Sequence, residues 1–207
     1  MNSLTDEKIA AVLERLHRES AGDSARWARD KTTNSDELVR MGELYLSISA
    51  EEGTLLYLLA RSRKAQHMVE FGASYGVSTV YLAAAARDNN GHVTTTEAHP
   101  KKCKAVRETL AEAGLTDVVD LLEGDARETL AELEGPVDFV FLDGWKGMYL
   151  PVLNILKPKL EPGALILADN ITHSAARDYV NAVRTPGSGF VSITLDGQEL
   201  SYFIGEE

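Results

Sequence analysis

Cysteine occurs once in this 207-residue sequence, at Cys103, so neither an internal disulfide nor a thiolate metal cluster can be built. No apolar run approaches the roughly 20 residues of a membrane-spanning helix. Basic residues are in deficit, 21 Lys and Arg against 32 Asp and Glu, for a formal net charge of −11. That balance argues against a nucleic-acid partner, which wants a basic face, and against an anionic membrane surface. Met1-Asn2-Ser3-Leu4-Thr5-Asp6-Glu7 lacks the basic-then-apolar pattern of a signal peptide, and a cytoplasmic location is the expectation. Repeats and low-complexity linkers are missing too. With 44% apolar residues, enough for an ordinary soluble core, one domain over 1–207 is expected.

What is present begins with Val69-Glu70-Phe71-Gly72-Ala73-Ser74-Tyr75-Gly76-Val77-Ser78-Thr79. It reads as a short apolar strand, a glycine-bearing turn and a helix start. Such glycines let backbone approach a ligand or take positive φ, and a helix N-terminus offers free amides. About twenty residues on, His92-Val93-Thr94-Thr95-Thr96 runs into Glu97, an acid placed to take a ribose diol. A nucleoside-containing cofactor follows. The dinucleotide fingerprint needs a middle glycine where Ser74 stands, so a pyrophosphate such as that of NAD fits poorly.

Periodicity divides the chain into N-terminal helices over 1–63 and an α/β core over 64–207. Leu4 to Glu19 carries Ile9, Val12, Leu13 and Leu16 at helical spacing. Ser35 is positioned to cap a helix from Asp36 with Leu38, Met41, Leu44 and Tyr45 inward. A third helix is predicted from Glu51 to Arg63. Strands are predicted near 67–71, 92–97, 118–122, 137–142 and 163–168, and helices near 77–88, 99–113, 126–133, 147–157 and 174–184. Strands near 189–195 and 199–204 flank Asp196-Gly197, a hairpin signal. The strands at 137–142 and 163–168 are nearly all apolar, as expected where both sheet faces are covered.

Ligands of open α/β sheets sit beyond the carboxyl ends of the strands. Glu97, Gly124-Asp125-Ala126, Asp143-Gly144-Trp145-Lys146 and Asp169-Asn170 stand there. Asp143, Asp169 and Asn170 offer oxygen only, which suits Mg²⁺, Mn²⁺ or Ca²⁺ and not zinc. Asp169 and Asn170 are neighbours, so they can share a metal only if the chain turns between them. His17 and His67 read as structural. His99 and His173 lie in sequence reach of the site.

Four segments, in order, resemble the catechol O-methyltransferases within the class I S-adenosylmethionine-dependent methyltransferases, a group that includes the caffeoyl-CoA type and many bacterial enzymes. They are the glycine segment, Thr96-Glu97-Ala98-His99-Pro100, Phe141-Leu142-Asp143-Gly144-Trp145-Lys146 with Tyr149-Leu150-Pro151, and Leu167-Ala168-Asp169-Asn170, within residues 44–185. The resemblance implies a Rossmann-like fold: a mostly parallel seven-stranded sheet with an antiparallel last strand. It implies S-adenosylmethionine as cofactor, Mg²⁺ on Asp143, Asp169 and Asn170, and a small phenolic or catechol-like substrate. Lys146 would be the general base, with Trp145 and Asn170 beside the substrate. Gly72, Ala73, Ser78 and Ile48 would meet the methionine end and Glu97 the ribose. Asp125 and Ala126 would lie by the adenine. Glu70, Ser74, Gly76, Ala98, Gly124, Asp143 and Trp145 complete the implied cofactor surround. A lysine is ordinarily protonated at neutral pH, so burial and a nearby cation would be needed to free it as a base.

Two departures stand out. Gly144 replaces a histidine that lies against the cofactor in the catechol enzymes. The stretch from Phe190 to Asp196 is shorter than theirs, which supplies a second substrate-orienting carboxylate; Glu199 is nearby but expected inside the last strand. A metal-independent methyltransferase and a non-catalytic cofactor-binding protein are the alternatives. A homodimer through the N-terminal helices is compatible with the sequence.

Overall fold

The computed structural model describes residues 2–30 and 41–205, the side chains of residues 29 and 30 excepted. Among the described residues, three α-helices of eight or more residues lead in: α1 (Glu7–Ser20), α2 (Asp23–Asp30) and α3 (Ala50–Arg63). Asp6 caps α1 by accepting the Lys8 and Ile9 amides, and Ile9, Val12, Leu13 and Leu16 are buried as their spacing requires. α3 opens with a capping box in which Ser49 accepts the Glu52 amide and Glu52 the Ser49 amide. α2 has no counterpart among the expected elements, because Asp23-Ser-Ala-Arg-Trp-Ala-Arg-Asp has no apolar rhythm; an Asp23–Arg26 ion pair spans its first turn. Most of the helix expected from Asp36 lies outside the described residues. Leu44 and Tyr45, expected on its inner face, instead occupy a non-helical segment, where Leu44 is nonetheless buried.

The core alternates β1 (His67–Phe71), α4 (Val77–Asn89), β2 (His92–Glu97), α5 (Pro100–Ala113), β3 (Val119–Glu123), α6 (Ala126–Thr129), β4 (Val137–Leu142), α7 (Tyr149–Leu156), β5 (Leu160–Ala168), α8 (Arg177–Arg184), β6 (Phe190–Leu195) and β7 (Gln198–Phe203). The seven strands form one sheet in the order β3-β2-β1-β4-β5-β7-β6. β7 alone runs against the direction of the other six strands. Strand alternation splits the core in two. Met68, Phe139, Phe141 and Leu167 pack on the side of α1, α3, α4 and α5. Val69, Phe71, Val140, Leu142, Ile166 and Ala168 pack on the side of α7 and α8. This is the doubly covered sheet that the apolar strands predict.

Two boundaries differ from the periodicity. The helix expected over 126–133 stops at Thr129. Lys159 Nζ donates to the Leu130 and Ala131 carbonyls at 2.8 and 2.7 Å, so these acceptors serve the neighbouring chain instead of a longer helix. β5 begins at Leu160, earlier than the expected 163. Pro162 and Gly163 read as breakers, but a register shift between Val137 and Phe139 admits them, and Arg63 binds the Gly163 carbonyl at 2.8 Å.

Candidate active site

Sheet register assembles the site. Phe71 pairs with Thr96 and with Leu142, and Leu142 pairs with Ala168. Gly72, Glu97, Asp143 and Asp169 therefore form one row, each a step past or at its strand end. The ladder continues into it: the Gly72 amide donates to Thr96 O, the Asp143 amide to Phe71 O and the Asp169 amide to Leu142 O. Neighbouring strands are about 4.8 Å apart. By alternation Asp143 and Asp169 project to the same side as Phe141 and Leu167, towards α3 and α4.

Asn170 joins them because the chain does turn. Its φ is +52°, in the left-handed region that asparagine tolerates. Its side-chain Nδ2 donates to Asp169 Oδ2 at 3.0 Å, so the two side chains converge. Lys146, on a short 3-10 turn after β4, donates from Nζ to Asp143 Oδ1 at 2.8 Å. Both side chains are well covered, 17% exposed for Lys146 and 10% for Asp143. Burial raises the Asp143 pKa to about 7; Lys146 opposes the shift, while Asp169 and Glu70 add to it. Asp169 is also raised by burial. Sequence reasoning gave no role to Tyr149, whose hydroxyl donates to the Asp169 carbonyl at 2.9 Å and whose ring lies 5.3 Å from Lys146 Nζ. Burial and the two aspartates push its phenol well above the usual range, so it stays a donor.

No group of three His, Cys, Asp or Glu side chains suited to a metal is gathered among the described residues. The set here is two carboxylates and one carboxamide. That donor chemistry fits Mg²⁺, which takes few protein oxygens and keeps several waters. Burial is the main cause that raises both Asp143 and Asp169, and a dication held between them would offset it by favouring their charged forms.

The glycine turn is shaped by three left-handed residues, Gly72 (φ +101°), Ser74 (+49°) and Gly76 (+90°), the last at the start of α4. Glu97 lies across it, accepting the Ser74 amide on one oxygen and the His99 amide on the other, both at 2.8 Å. A carboxylate has about four acceptor positions, so two remain. Residues 42–48 form a strap over this turn. Ser74 Oγ donates to Tyr45 O at 2.6 Å, Tyr75 OH donates to Gly42 O at 2.7 Å, and the two tyrosine rings stack at 4.2 Å. Asp23 of α2 holds the strap by accepting the Tyr45 and Leu46 amides. Neither α2 nor the strap is visible in the sequence pattern. Ile48, Ala73, Ser78 and Ala126 are buried around the turn, Gly124 and Asp125 partly buried, and Ala98 exposed. Asp125 caps α6 and pairs with Arg127. Trp145 is 56% exposed at the rim.

Glu70 lies beneath the row and is fully buried. Its Oε2 accepts from Thr79 at 2.6 Å and from Thr95, so it ties β1 to β2 and α4 and does not line open space. His17 bonds Tyr81, His67 faces the Pro136 carbonyl, and His99 and His173 cap the turns they begin. Glu199 is inside β7 as expected, fully buried on Arg184 and Thr194, and so is not available at the site.

Gly144 has a steric reason. A Cβ there would lie 2.5 Å from the Phe71 ring, which occupies the space a side chain would need. Gly144→His is therefore expected to destabilise the protein by about 1–3 kcal/mol, a fall in Tm of roughly 2–10 °C for a chain of this size. Phe71→Leu in the same protein should recover part of the loss. Calorimetric melting of the wild type and the two variants checks this, and an unchanged Tm for Gly144→His would refute it.

Residues 69–171 match a family model described as a methyltransferase domain. Among curated proteins, the catechol O-methyltransferase of Niastella koreensis is 34% identical over 143 residues, 67% of this chain and 63% of that protein. The catechol O-methyltransferase of Mycobacterium tuberculosis is 35% identical over 127 residues, 61% of this chain and 57% of that protein. These matches thus span less than two thirds of the length of either relative. Among solved structures, the O-methyltransferase TomG of Streptomyces achromogenes, in complex with SAM, superposes with a TM-score of 0.70 at 25% identity, covering 90% of this chain and 99% of that one.

Proposed function

We propose that this chain is a class I S-adenosylmethionine-dependent methyltransferase and moves a methyl group from S-adenosylmethionine to one hydroxyl of a catechol-like small molecule, with Mg²⁺ or a similar dication. One observation carries the reading: the register row and the turn at Asn170 gather Asp143, Asp169, Asn170 and Lys146 beside the glycine turn and Glu97. The catechol O-methyltransferase names of the relatives support it.

S-adenosylmethionine, when bound, supplies a methyl on a sulfonium; the carbon–sulfur bond breaks as the carbon–oxygen bond forms. The dication, when bound, supplies Lewis-acid stabilisation of the acceptor oxyanion. The remaining tasks fall to the chain's own residues. Glu97 takes the ribose diol on its two free acceptor positions. The turn at Gly72 and Ala73 with Ser78 of α4, and Ile48 on the strap, border the methionine end. Gly124, Asp125 and Ala126 border the adenine. Asp143, Asp169 and Asn170 hold the dication, and Lys146 Nζ takes the proton from the reacting hydroxyl. Trp145 covers the acceptor ring at the rim. Fixing the two reactants in line is a large contribution in itself, as much as about 7–11 kcal/mol in the best cases.

The test is to incubate the protein with S-adenosylmethionine and 3,4-dihydroxybenzoate or caffeate, with Mg²⁺ or with EDTA, and to measure S-adenosylhomocysteine and methylated product. Product with Mg²⁺ and none with EDTA is expected. Equal product in both would exclude the dication. Cofactor binding with no product across a wide phenol panel would instead support a binding protein. Glu97→Ala is expected to weaken cofactor binding about ten- to a hundredfold, as for loss of a charged hydrogen-bond pair; calorimetric titration reads it, and unchanged affinity would remove Glu97 from the site.

A further inference from the structure

Among the described residues, few buried side-chain nitrogens and oxygens are without a hydrogen-bond partner, and Gln198 Nε2 is one of them. Gln198 is 3% exposed. A carboxamide nitrogen has two hydrogens to place and no lone pair to offer, so a buried one is costly to leave unpaired.

The fold puts that nitrogen at the candidate dication site. Glu199 pairs with Ala168 in an antiparallel ladder, so Gln198 and Asp169, one step further, stand opposite each other. Leu200 pairs with Leu167, which packs on the side of α3 and α4. Gln198 is two residues from Leu200 and shares its face. Asp169 projects to that same face. Both flanks of Gln198 are pinned. Leu195 pairs with Gln198 across Asp196-Gly197, a two-residue turn whose φ values are both positive, +43° and +86°. Gly197 O accepts the Ile171 amide at 2.9 Å, which ties the turn to the chain just after Asn170. The short hairpin is thus what brings a carboxamide to this place.

Asp169 has room for a further donor. Its Oδ2 accepts Asn170 Nδ2, and a carboxylate has about four acceptor positions. Burial and Glu52 disfavour the charged form of Asp169, whereas the Gln198 side chain favours it. Carboxylates that ligate a metal are themselves hydrogen-bonded, and the donors behind them fix their orientation. A cationic donor at residue 198 would repel a dication, and a carboxylate there would repel Asp169. A carboxamide does neither.

We propose that Gln198 is a positioning residue of the dication site, donating from Nε2 to Asp169 and so setting that carboxylate for Mg²⁺. The nitrogen is closed off from open space, so it acts through Asp169 and touches neither acceptor nor cofactor. This rests on the dication reading given above.

The test is calorimetric titration of Mg²⁺ into the full chain saturated with S-adenosylhomocysteine, which permits no turnover. Gln198→Leu is expected to weaken Mg²⁺ binding about 10–100-fold and to leave S-adenosylhomocysteine affinity unchanged. The metal-free Tm should be no lower than that of the wild type, because leucine removes a buried amide that has no partner. A role in packing alone would give the reverse, a lower Tm with Mg²⁺ affinity intact. Gln198→Met keeps the length of the side chain and also lacks the donor. It should behave in the same way, and it decides if Gln198→Leu fails to fold. Undiminished Mg²⁺ affinity in either folded variant overturns the inference and leaves the dication reading standing. A wild-type chain that does not bind Mg²⁺ overturns both.

Discussion

Lys146→Met is expected to lower kcat by about 10²–10⁴-fold, the range for removal of a general base, with S-adenosylmethionine affinity unchanged. The reason is local. Lys146 Nζ is 2.8 Å from Asp143, largely covered, and 5.3 Å from the Tyr149 ring. Methionine keeps the length of the side chain and a favourable sulfur–aromatic contact with Tyr149, so what is lost is the amine. Lys146→Arg separates two roles that lysine combines. Arginine restores the ion pair with Asp143 but cannot give up its proton near neutral pH. It should therefore rescue the ion pair and not turnover. Single-turnover kinetics with a fixed acceptor measures this. Full activity in Lys146→Arg would show that Lys146 is only a counter-ion for Asp143, and full activity in Lys146→Met would remove it from the reaction altogether.

The second large effect is expected at Asp143. Asp143→Asn should abolish the rise in Tm that Mg²⁺ gives the wild-type protein, and change the pH dependence of stability. The sign follows from the shift. Asp143 is raised from an ordinary aspartate value to about 7, because it is buried near Asp169 and Glu70. Between about pH 4 and 7 the unfolded chain has lost this proton while the folded chain keeps it. The contribution of Asp143 to stability is thus greatest in acid and is lost as pH rises through that window. Asp169, Glu70 and Asp138 are raised too, so they slope the same way and persist in the variant. Asp143→Asn should then gain in Tm relative to wild type from pH 5 to pH 8 in the absence of metal. Metal binding requires the carboxylate, so wild-type Mg²⁺ affinity should fall about tenfold from pH 8 to pH 6. Titration calorimetry and melting curves at the two pH values measure both. A Mg²⁺ response that survives in Asp143→Asn would remove Asp143 from the dication site.

Much of this was legible in the chain. Four segments in the right order, two nearly all-apolar strands and polar residues at the strand ends pointed to the sheet and to the residues lining its carboxyl edge. Local chemistry suffices for such features, because a strand's period, a turn's glycines and a cap's side chain act within a few residues. Asp169 and Asn170 show the limit. Their adjacency argued against shared work until the positive φ of Asn170 turned the chain. The truncation of the helix at Thr129 and the early start of β5 depended on Lys159 and Arg63, partners far away in sequence.

The sequence by itself determined the alternation of strands and helices, the glycine turn, and the oxygen-rich chemistry of Asp143, Asp169 and Asn170 with Lys146 close by. Only the tertiary structure decided that these share one register row, that α2 and the strap over Ser74 and Tyr75 exist, and that the Phe71 ring excludes a side chain at residue 144. It also withdrew Glu199 behind Arg184 and placed β6 at the edge of the sheet. The physical reason is range. Propensity and periodicity act between neighbours in sequence, whereas register, burial and steric exclusion are set by groups that meet only when the whole sheet is assembled.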